Sequence, residues 1–252
     1  MRRKSLLPFL STTLCAVAFM SLASNVRAQG VVPAPSADAN QIVAKFIANE
    51  TAFQRAFARY AFRRDAVIQS IGMGGQVTGE FHRLSRIFFD AEGKQQEKVL
   101  HMPIPTLAPS QTDMDDLNSI QLFVLEGPKL AQYDFKLVGR EKIDEINAYV
   151  FDVGPKVMPN PKKSKDRFFE GRVWIDDQDF QIVKANGKGV PQGKEVFPIF
   201  DYYREHDGRY WVPSLVTAND ELVLQSGDVV RVRMRVRYTN YESPNAVEKA
   251  KN

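Results

Sequence analysis

The sequence predicts a mainly β fold with few helices (the α+β class), in which one antiparallel sheet carries the core. Three observations lead to this prediction. From Tyr60 onward, apolar residues recur with a period of two instead of at helical spacing. Turn signals separate these runs at short intervals, most clearly Asp207-Gly208, and such short connections join antiparallel neighbours. Finally, residues 229–241 alternate cleanly between apolar and charged side chains.

Two helices are expected. Residues 40–57 form the first, with Asp38 or Asn40 as its cap, and residues 112–123 form the second, with Thr112 or Asp113 as its cap. The first is amphipathic, because its apolar residues recur every three or four positions. These are Ile42, Val43, Phe46, Ile47, Phe53 and Phe57.

About ten strands are expected, most of them paired with their neighbours in sequence as a meander. After a strand that begins near Tyr60, they cover residues 76–90, 94–102, 133–142, 148–154, 166–176, 180–187, 196–205, 209–215 and 229–241. Acidic or Asp-Gly turns connect most of them.

The N-terminus has the three zones of a secretory signal peptide. Basic residues 2–4 precede an apolar stretch over residues 6–23, and small or apolar residues then lead to a cleavage site between Ala28 and Gln29. An uncleaved membrane anchor is the alternative. The sequence therefore divides into a signal peptide (1–28), a Pro/Ala/Ser-rich linker (29–39), one domain (40–243) and a polar tail (244–252), and we expect export to the periplasm.

Removal of the signal peptide changes the charge balance. The whole chain has 34 Lys and Arg against 30 Asp and Glu, but residues 1–28 hold four of the basic residues and no acid. The remainder is formally neutral, which gives no reason to expect nucleic acid as a partner. Cys15 lies within the signal peptide, so the processed chain has no disulfide, thiolate metal site or cysteine nucleophile.

Motifs of catalysis are missing. No nucleophile elbow, zinc-binding helix or phosphate-binding loop occurs, and the three histidines (His82, His101 and His206) have no spacing typical of a triad or metal site. The acids around residues 176–179 lack the glycine and the final acid of a calcium loop. We expect no metal, no cofactor and no enzymatic activity. A hydrolase that uses unrecognised acids is a third alternative.

The last predicted strand carries four arginines on one face, Arg231, Arg233, Arg235 and Arg237, which we call the arginine ladder. Every second residue of a strand advances about 6.6 Å, so the guanidinium groups form a regular row. The row is either a docking stripe for an acidic partner or lipid headgroups, or a solvated face paired with acids of the next strand.

Apolar material is more abundant than two helices can cover. A sheet of about ten strands with few helices must curl, and curled sheets of this kind enclose either a ligand cavity or a dry core. The pattern leaves both possibilities open.

Residues 138–213 resemble the outer-membrane lipoprotein-sorting family, the LolA-like periplasmic carriers and their relatives. The resemblance consists of an ordered set of short matches along about a third of the chain. In order, they are Val138-Gly139-Arg140-Glu141, Asn147 to Val153, Pro155-Lys156, Arg172-Val173-Trp174-Ile175-Asp176, Phe180 to Lys184 and Asp207 to Pro213. No functional arginine of the carriers has a match, and the first hundred residues agree only in general pattern.

The resemblance implies a half-barrel with an apolar concave side, closed by a helical lid, that holds an acyl chain or a lipid-modified protein. A membrane-associated donor or acceptor is implied as well. The residues expected to line the ligand are Phe46 and Phe53 on the leading helix, and Tyr149, Phe151, Val153, Val173, Ile175, Val232, Met234 and Val236 on the sheet.

A second hypothesis uses the same fold without a lipid. A periplasmic sensory or protein-interaction module would bind an acidic partner through the arginine ladder and the basic residues Lys162, Lys163 and Lys165.

Overall fold

The computed structural model describes residues 39–123, 127–161, 163–164, 166–192, 196–224 and 227–242. The first helix, α1, covers Ala39–Phe57, and the second, α2, covers Gln111–Phe123. A short 3-10 helix spans Gly127–Gln132. Both predicted helices are therefore present, and Ala39, the last residue of the expected linker, already belongs to α1. No helix among the described residues has the length and apolar character needed to span a membrane.

All ten expected strands are present and antiparallel. They are β1 (Ala61–Ile71), β2 (Val77–Phe89), β3 (Gln95–His101), β4 (Tyr133–Ile143), β5 (Ile146–Pro155), β6 (Phe168–Asp176), β7 (Ile182–Val190), β8 (Phe200–His206), β9 (Trp211–Val223) and β10 (Val229–Glu242).

The ten strands form one open sheet in the order β3-β2-β1-β10-β9-β8-β7-β6-β5-β4. The prediction of a meander was incomplete in two respects. β1 pairs with β10 along most of its length, although the two are distant in sequence. The chain also crosses from one edge strand, β3, to the other, β4, through α2 and the 3-10 helix. Turn signals report only local pairing, so neither feature could be read from them.

The sheet curves around α1. Phe57 of α1 lies 6.0 Å from Phe89 of β2, and Phe46 lies 5.7 Å from Phe135 of β4 (ring centroids). From Phe46 to Phe57, eleven residues later, the helix advances only about 16 Å. Eight strand spacings separate β2 from β4, about 38 Å in a flat sheet. One helix reaches both strands only because the sheet bends into a half-barrel with α1 on its concave side.

Two glycines face each other where β6 and β7 pair. A Cβ atom on Gly171 would stand 2.2 Å from the backbone oxygen of Asn186, and one on Gly187 would stand 2.4 Å from that of Glu170. The ring of Phe169 fills the space on the concave side, within 3 Å of both positions. Close backbone approach of this kind is typical of a sharp bend in a sheet.

The main hydrophobic core lies on the concave face, and part of the convex face is also buried. Ala148, Val150, Trp174 and Val183 form a second buried cluster on the convex side of β5, β6 and β7. The alternation over residues 229–241 indicates a sheet with one solvated and one apolar face, and that interpretation is wrong for these three strands, which bury side chains on both faces. Partly buried residues of neighbouring strands, among them Val138 and Trp211, cover this cluster.

Candidate functional site

The ten residues expected to line a ligand lie together on the concave side. Nine of them are buried in a single apolar cluster, and Tyr149 is partly buried against it. Their sharing of one face follows from the period of two along each strand, since residues i and i+2 point the same way. Whether they touch a ligand remains a proposal. Here they pack against each other and against α1.

Aromatic rings contribute to the contact between α1 and the edge of the sheet. Phe46 packs edge-on against Phe135, which packs edge-on against Phe151. Tyr149 stacks on Phe180 at 6.2 Å and lies beneath the guanidinium group of Arg140 at 4.6 Å. Such arrangements are the favoured geometries for ring pairs and for a cation over a ring.

A charged pair lies beneath α1 in the apolar core. Glu50 of α1 accepts hydrogen bonds from Arg204 of β8 at 2.8 and 3.1 Å, and from the backbone N–H of Ile182 at 3.0 Å. Arg204 also donates from Nε to the hydroxyl of Tyr202 at 3.0 Å and lies 4.6 Å from the ring centre of Phe53. The side chains of Glu50 and Arg204 are 0% and 1% exposed, so neither charge is hydrated.

The surroundings of Arg204 favour its charged form. Burial by itself would lower the pKa of the guanidinium group, but the carboxylate of Glu50 and the hydroxyl of Tyr202 raise this pKa above its usual range. Burial also raises the pKa of Tyr202, which stays neutral and keeps its oxygen available as an acceptor. Arg204 therefore stays charged, and the hydrogen bonds of Glu50 hold the centre of α1 to β7 and β8.

A second buried charge cluster ties α2 to β1, β2 and β3, toward the other edge of the sheet. Arg64 of β1 is fully buried and donates to Glu97 of β3 and to the side-chain oxygen of Asn118 of α2, each at 2.8 Å. Arg83 of β2 donates to the same Asn118 oxygen at 2.7 Å. Burial would raise the pKa of Glu97, but the two arginines hold it below its usual range. Both helices are thus fastened to the concave face by polar contacts as well as by apolar packing.

The four side chains of the arginine ladder are exposed along the convex face of β10. Arg231 is in register with Glu221 of β9, and Arg237 is in register with Asp65 of β1. Asp65, however, lies 2.8 Å from His82. Among the described residues, none of the four guanidinium groups forms an ion pair, so the expected pairing with neighbouring acids is not seen.

A groove of about 510 Å³ opens on the convex face of β5, β6 and β7. Asp152 and Arg172, which form an ion pair at 2.8 Å, lie at its wall together with Trp174 and Lys188. Asp152 and Arg172 already pair their charges with each other, and Val153 is the one residue expected to bind a ligand that lines this groove.

The remaining predicted sites have mixed outcomes. His82 and His101 are neighbours, with ring centroids 5.9 Å apart. In the part of the chain that the structure describes, no three metal-binding side chains converge. The cleavage site at Ala28 and Gln29 lies outside the described residues, as do Lys162 and Lys165 and the tail after residue 242.

Sequence reasoning missed Glu50, Arg64 and Arg204, although two of them left a signal. Glu50 stands on the apolar stripe of α1, four residues after Phe46 and three before Phe53. Arg64 stands between Phe62 and Ala66 in the inward-facing series of β1. A charged residue at a position where the pattern requires an apolar one indicates a buried polar network.

No protein-family description matches the chain, and no curated protein matches it. Several solved structures share its general architecture. A DUF1329 family protein from Desulfovibrio piger aligns with 81% of this chain and 93% of its own, at 14% identity and a TM-score of 0.42. A LolA superfamily protein from Nitrosomonas europaea aligns over 83% and 96%, at 16% identity and a TM-score of 0.33.

An outer-membrane lipoprotein-sorting protein domain from Vibrio parahaemolyticus aligns over 82% of this chain and 94% of its own, at 9% identity and a TM-score of 0.37. The resemblance noted from residues 138–213 is thus confirmed as a likeness to solved structures of that description. At these scores, the likeness carries no argument about ligand or partner.

Proposed function

We propose that the protein is a periplasmic lipid-binding carrier that holds acyl chains on the concave face of its half-barrel. The observation that supports this most strongly is the apolar surface hidden beneath α1. Side chains of strands from both halves of the sheet converge on one helix, and that helix is joined to them by aromatic contacts and a single buried ion pair. A ligand that replaced α1 would find a continuous apolar trough.

The exchange of α1 for a ligand is feasible in energetic terms. Each methylene that moves from water to an apolar environment contributes about 0.8 kcal/mol, so an acyl chain can offset the loss of Phe46 and Phe53 from the trough. Glu50 and Arg204 would then need hydration or new partners, because a buried charge without a partner is costly. The same cost favours return of α1 once the ligand has left.

The test is to purify the protein without detergent, extract it and identify lipids by mass spectrometry, then to measure uptake of a fluorescent fatty acid. We expect lipid in near-equal amount to protein. Val232→Thr with Met234→Gln should reduce uptake, because polar atoms of similar size replace apolar ones in the trough. Arg235→Gln, on the opposite face of the same strand, is the matched control.

A folded double variant that takes up as much fatty acid as the wild type would contradict the assignment of the trough. A folded wild-type protein that carries no lipid and refuses added lipid would contradict the carrier itself.

The arginine ladder is exposed and has no ion-pair partner within the described parts of the chain, which favours a second candidate, a module that binds an acidic protein. Arg233→Glu with Arg235→Glu should then abolish capture of that partner and leave the lipid content unchanged. Capture that persists in this double variant, together with a loss of lipid, would rule out this candidate.

A further inference from the structure

Exposed apolar side chains are concentrated on one part of the surface. Ten large apolar residues are exposed among the described residues, and none of them lies at the end of the sheet where β1 begins. They are Met73, Val77, Val99, Leu100, Met102, Ile104, Val157, Met158, Ile199 and Val229. Six of them lie in the connections at the other end, where β1 ends and β10 begins, and the other four lie in strands at or near that end. We call this end the apolar rim and the opposite end the polar rim.

The apolar rim has protruding points on separate connections. Met73 is fully exposed at the tip of the glycine-rich β1–β2 turn, and Ile104, just after β3, is 94% exposed. Val157 follows β5 and is 79% exposed. The β9–β10 turn, with Val229 at its end, lies beside the β1–β2 turn because β1 pairs with β10. Gly75 has a φ of 81°, which keeps the turn below Met73 tight.

The two rims differ in charge as well as in polarity. Connections 58–60, 90–94, 144–145, 177–181 and 207–210 at the polar rim contain seven acidic and three basic residues. None of the exposed large apolar side chains belongs to them. An anionic surface would therefore repel the polar rim.

Exposed cationic side chains follow the apolar points along the chain. Exposed Lys163 follows Val157 and Met158 in the same connection. Arg231 and Arg233 follow Val229 and are exposed on the convex face without ion-pair partners among the described residues. The described acids in these two connections are Asp166, which accepts a hydrogen bond from Ser164, and Asp228. A membrane with anionic headgroups has a layer of phosphates outside a layer of acyl chains. Apolar tips followed by cations match these two layers.

We propose that the apolar rim docks on the surface of an anionic phospholipid membrane. Met73, Ile104, Val157 and Val229 insert among the acyl chains near the headgroups, while Lys163, Arg231 and Arg233 contact phosphates. The polar rim then faces away from the lipid.

A fluid bilayer suits this rim better than a protein surface does. Stable protein interfaces need a continuous, closely packed patch of about 800 Å² on each partner. The apolar rim offers single protruding side chains on separate turns, and a bilayer accommodates these without matching their shape. The proposal goes beyond lipid carriage and does not depend on it, since a protein with a dry trough would dock in the same way.

The test is flotation of the protein, expressed from its full gene and purified as the cell processes it, with vesicles. Vesicles of phosphatidylcholine are compared with vesicles of phosphatidylcholine and phosphatidylglycerol. We expect binding to the anionic vesicles only. Met73→Asp with Ile104→Asp should weaken it at least about tenfold, because two charges would then enter the apolar layer. Arg231→Gln with Arg233→Gln should weaken it about fivefold for each charge removed.

Matched controls lie at the polar rim. Ala91→Asp adds an exposed acid there, and Arg209→Gln removes an exposed cation there, so both should bind vesicles as the wild type does. The substituted positions at the apolar rim are exposed or at a turn, so the variants should fold, which circular dichroism checks.

Three results would overturn the proposal. These are no binding to anionic vesicles, binding that Met73→Asp with Ile104→Asp leaves intact, and equal loss in the polar-rim controls. Capture of a protein through Met73, with no vesicle binding, would identify the rim as a protein interface instead.

Discussion

At Glu50, the chain places a carboxylate in the middle of an aromatic core, which is costly unless every oxygen finds a donor. Arg204 and the backbone of Ile182 supply those donors. Because ionic contacts of this kind are directional, they fix the rotation and height of α1 more tightly than apolar packing alone can. The pair therefore specifies one position of the helix.

Glu50→Gln should lower the free energy of unfolding by about 3–5 kcal/mol, because it leaves Arg204 charged, buried and without its counter-ion. Glu50→Leu combined with Arg204→Met should restore much of the loss. Urea denaturation measures both. Arg172→Gln, in an exposed ion pair with Asp152, should cost less than about 1 kcal/mol. Equal effects at the buried and exposed pairs would contradict the interpretation.

Asp116 should make stability depend on pH. Burial raises its pKa to about 6, although Arg167 opposes the rise and Asp113 and Asp115 add to it. The folded protein therefore binds more protons than the unfolded chain between about pH 4 and 6. Its free energy of unfolding should fall as the pH rises through that range.

Asp116→Asn removes this titration, so its stability relative to the wild type should increase by about 2 kcal/mol between pH 4 and 7. Urea midpoints at several pH values measure the difference. Asp90→Asn is a control whose stability relative to the wild type should change with pH in the opposite direction. A hydrogen bond from the backbone N–H of Lys94 lowers the pKa of Asp90, so the stabilising effect of this carboxylate is lost as the pH falls. A pH-independent difference for Asp116→Asn would refute the assignment.

At the scale of single elements, the Gly171–Gly187 pair allows the backbones of β6 and β7 to approach closely, as at a sharp bend. Gly187→Ala should destabilise the protein by about 1–3 kcal/mol or more, because its Cβ would overlap the backbone of β6. Thermal or urea unfolding measures this. Gly154→Ala is the matched control, since its nearest neighbour, Cγ of Glu170, would be 3.9 Å away. Similar losses at both positions would argue against a bend held by close backbone contact.

The elements that sequence predicts best are those whose pattern has a single period. The alternation over Val230, Val232 and Met234 places β10 and its two faces correctly, and helical spacing does the same for α1. β9 extends eight residues past the predicted end at Leu215, to Val223. Its outer positions, Asn219 and Glu221, are polar, so the pattern there is typical of a loop unless the pairing with β10 is known.

At the scale of the whole molecule, the exported form should begin at Gln29. N-terminal sequencing or intact mass of protein recovered from the periplasm measures this. Ala28→Leu should block processing, because the peptidase requires a small residue before the bond, while Gln29→Ala should be processed normally. A wild-type mass that includes residues 1–28 would contradict the prediction.

The order of the strands is the part of the fold that sequence could not supply. Pairing of Ile68 with Met234, or of Ser70 with Val232, depends on two runs of similar pattern meeting over more than 160 residues. No local signal distinguishes β10 from any other strand as the partner of β1. The buried trough could not be predicted from sequence for the same reason, since its residues come from strands on both sides of the β1–β10 pairing.

The pairing of β1 with β10 also has a consequence for biosynthesis. Translation proceeds at about 5–20 residues per second, so β1 leaves the ribosome about ten seconds or more before its partner. During that interval, the first three strands have one long unpaired edge and no completed sheet. The junction between the two halves of the sheet therefore cannot form until the last strand is made.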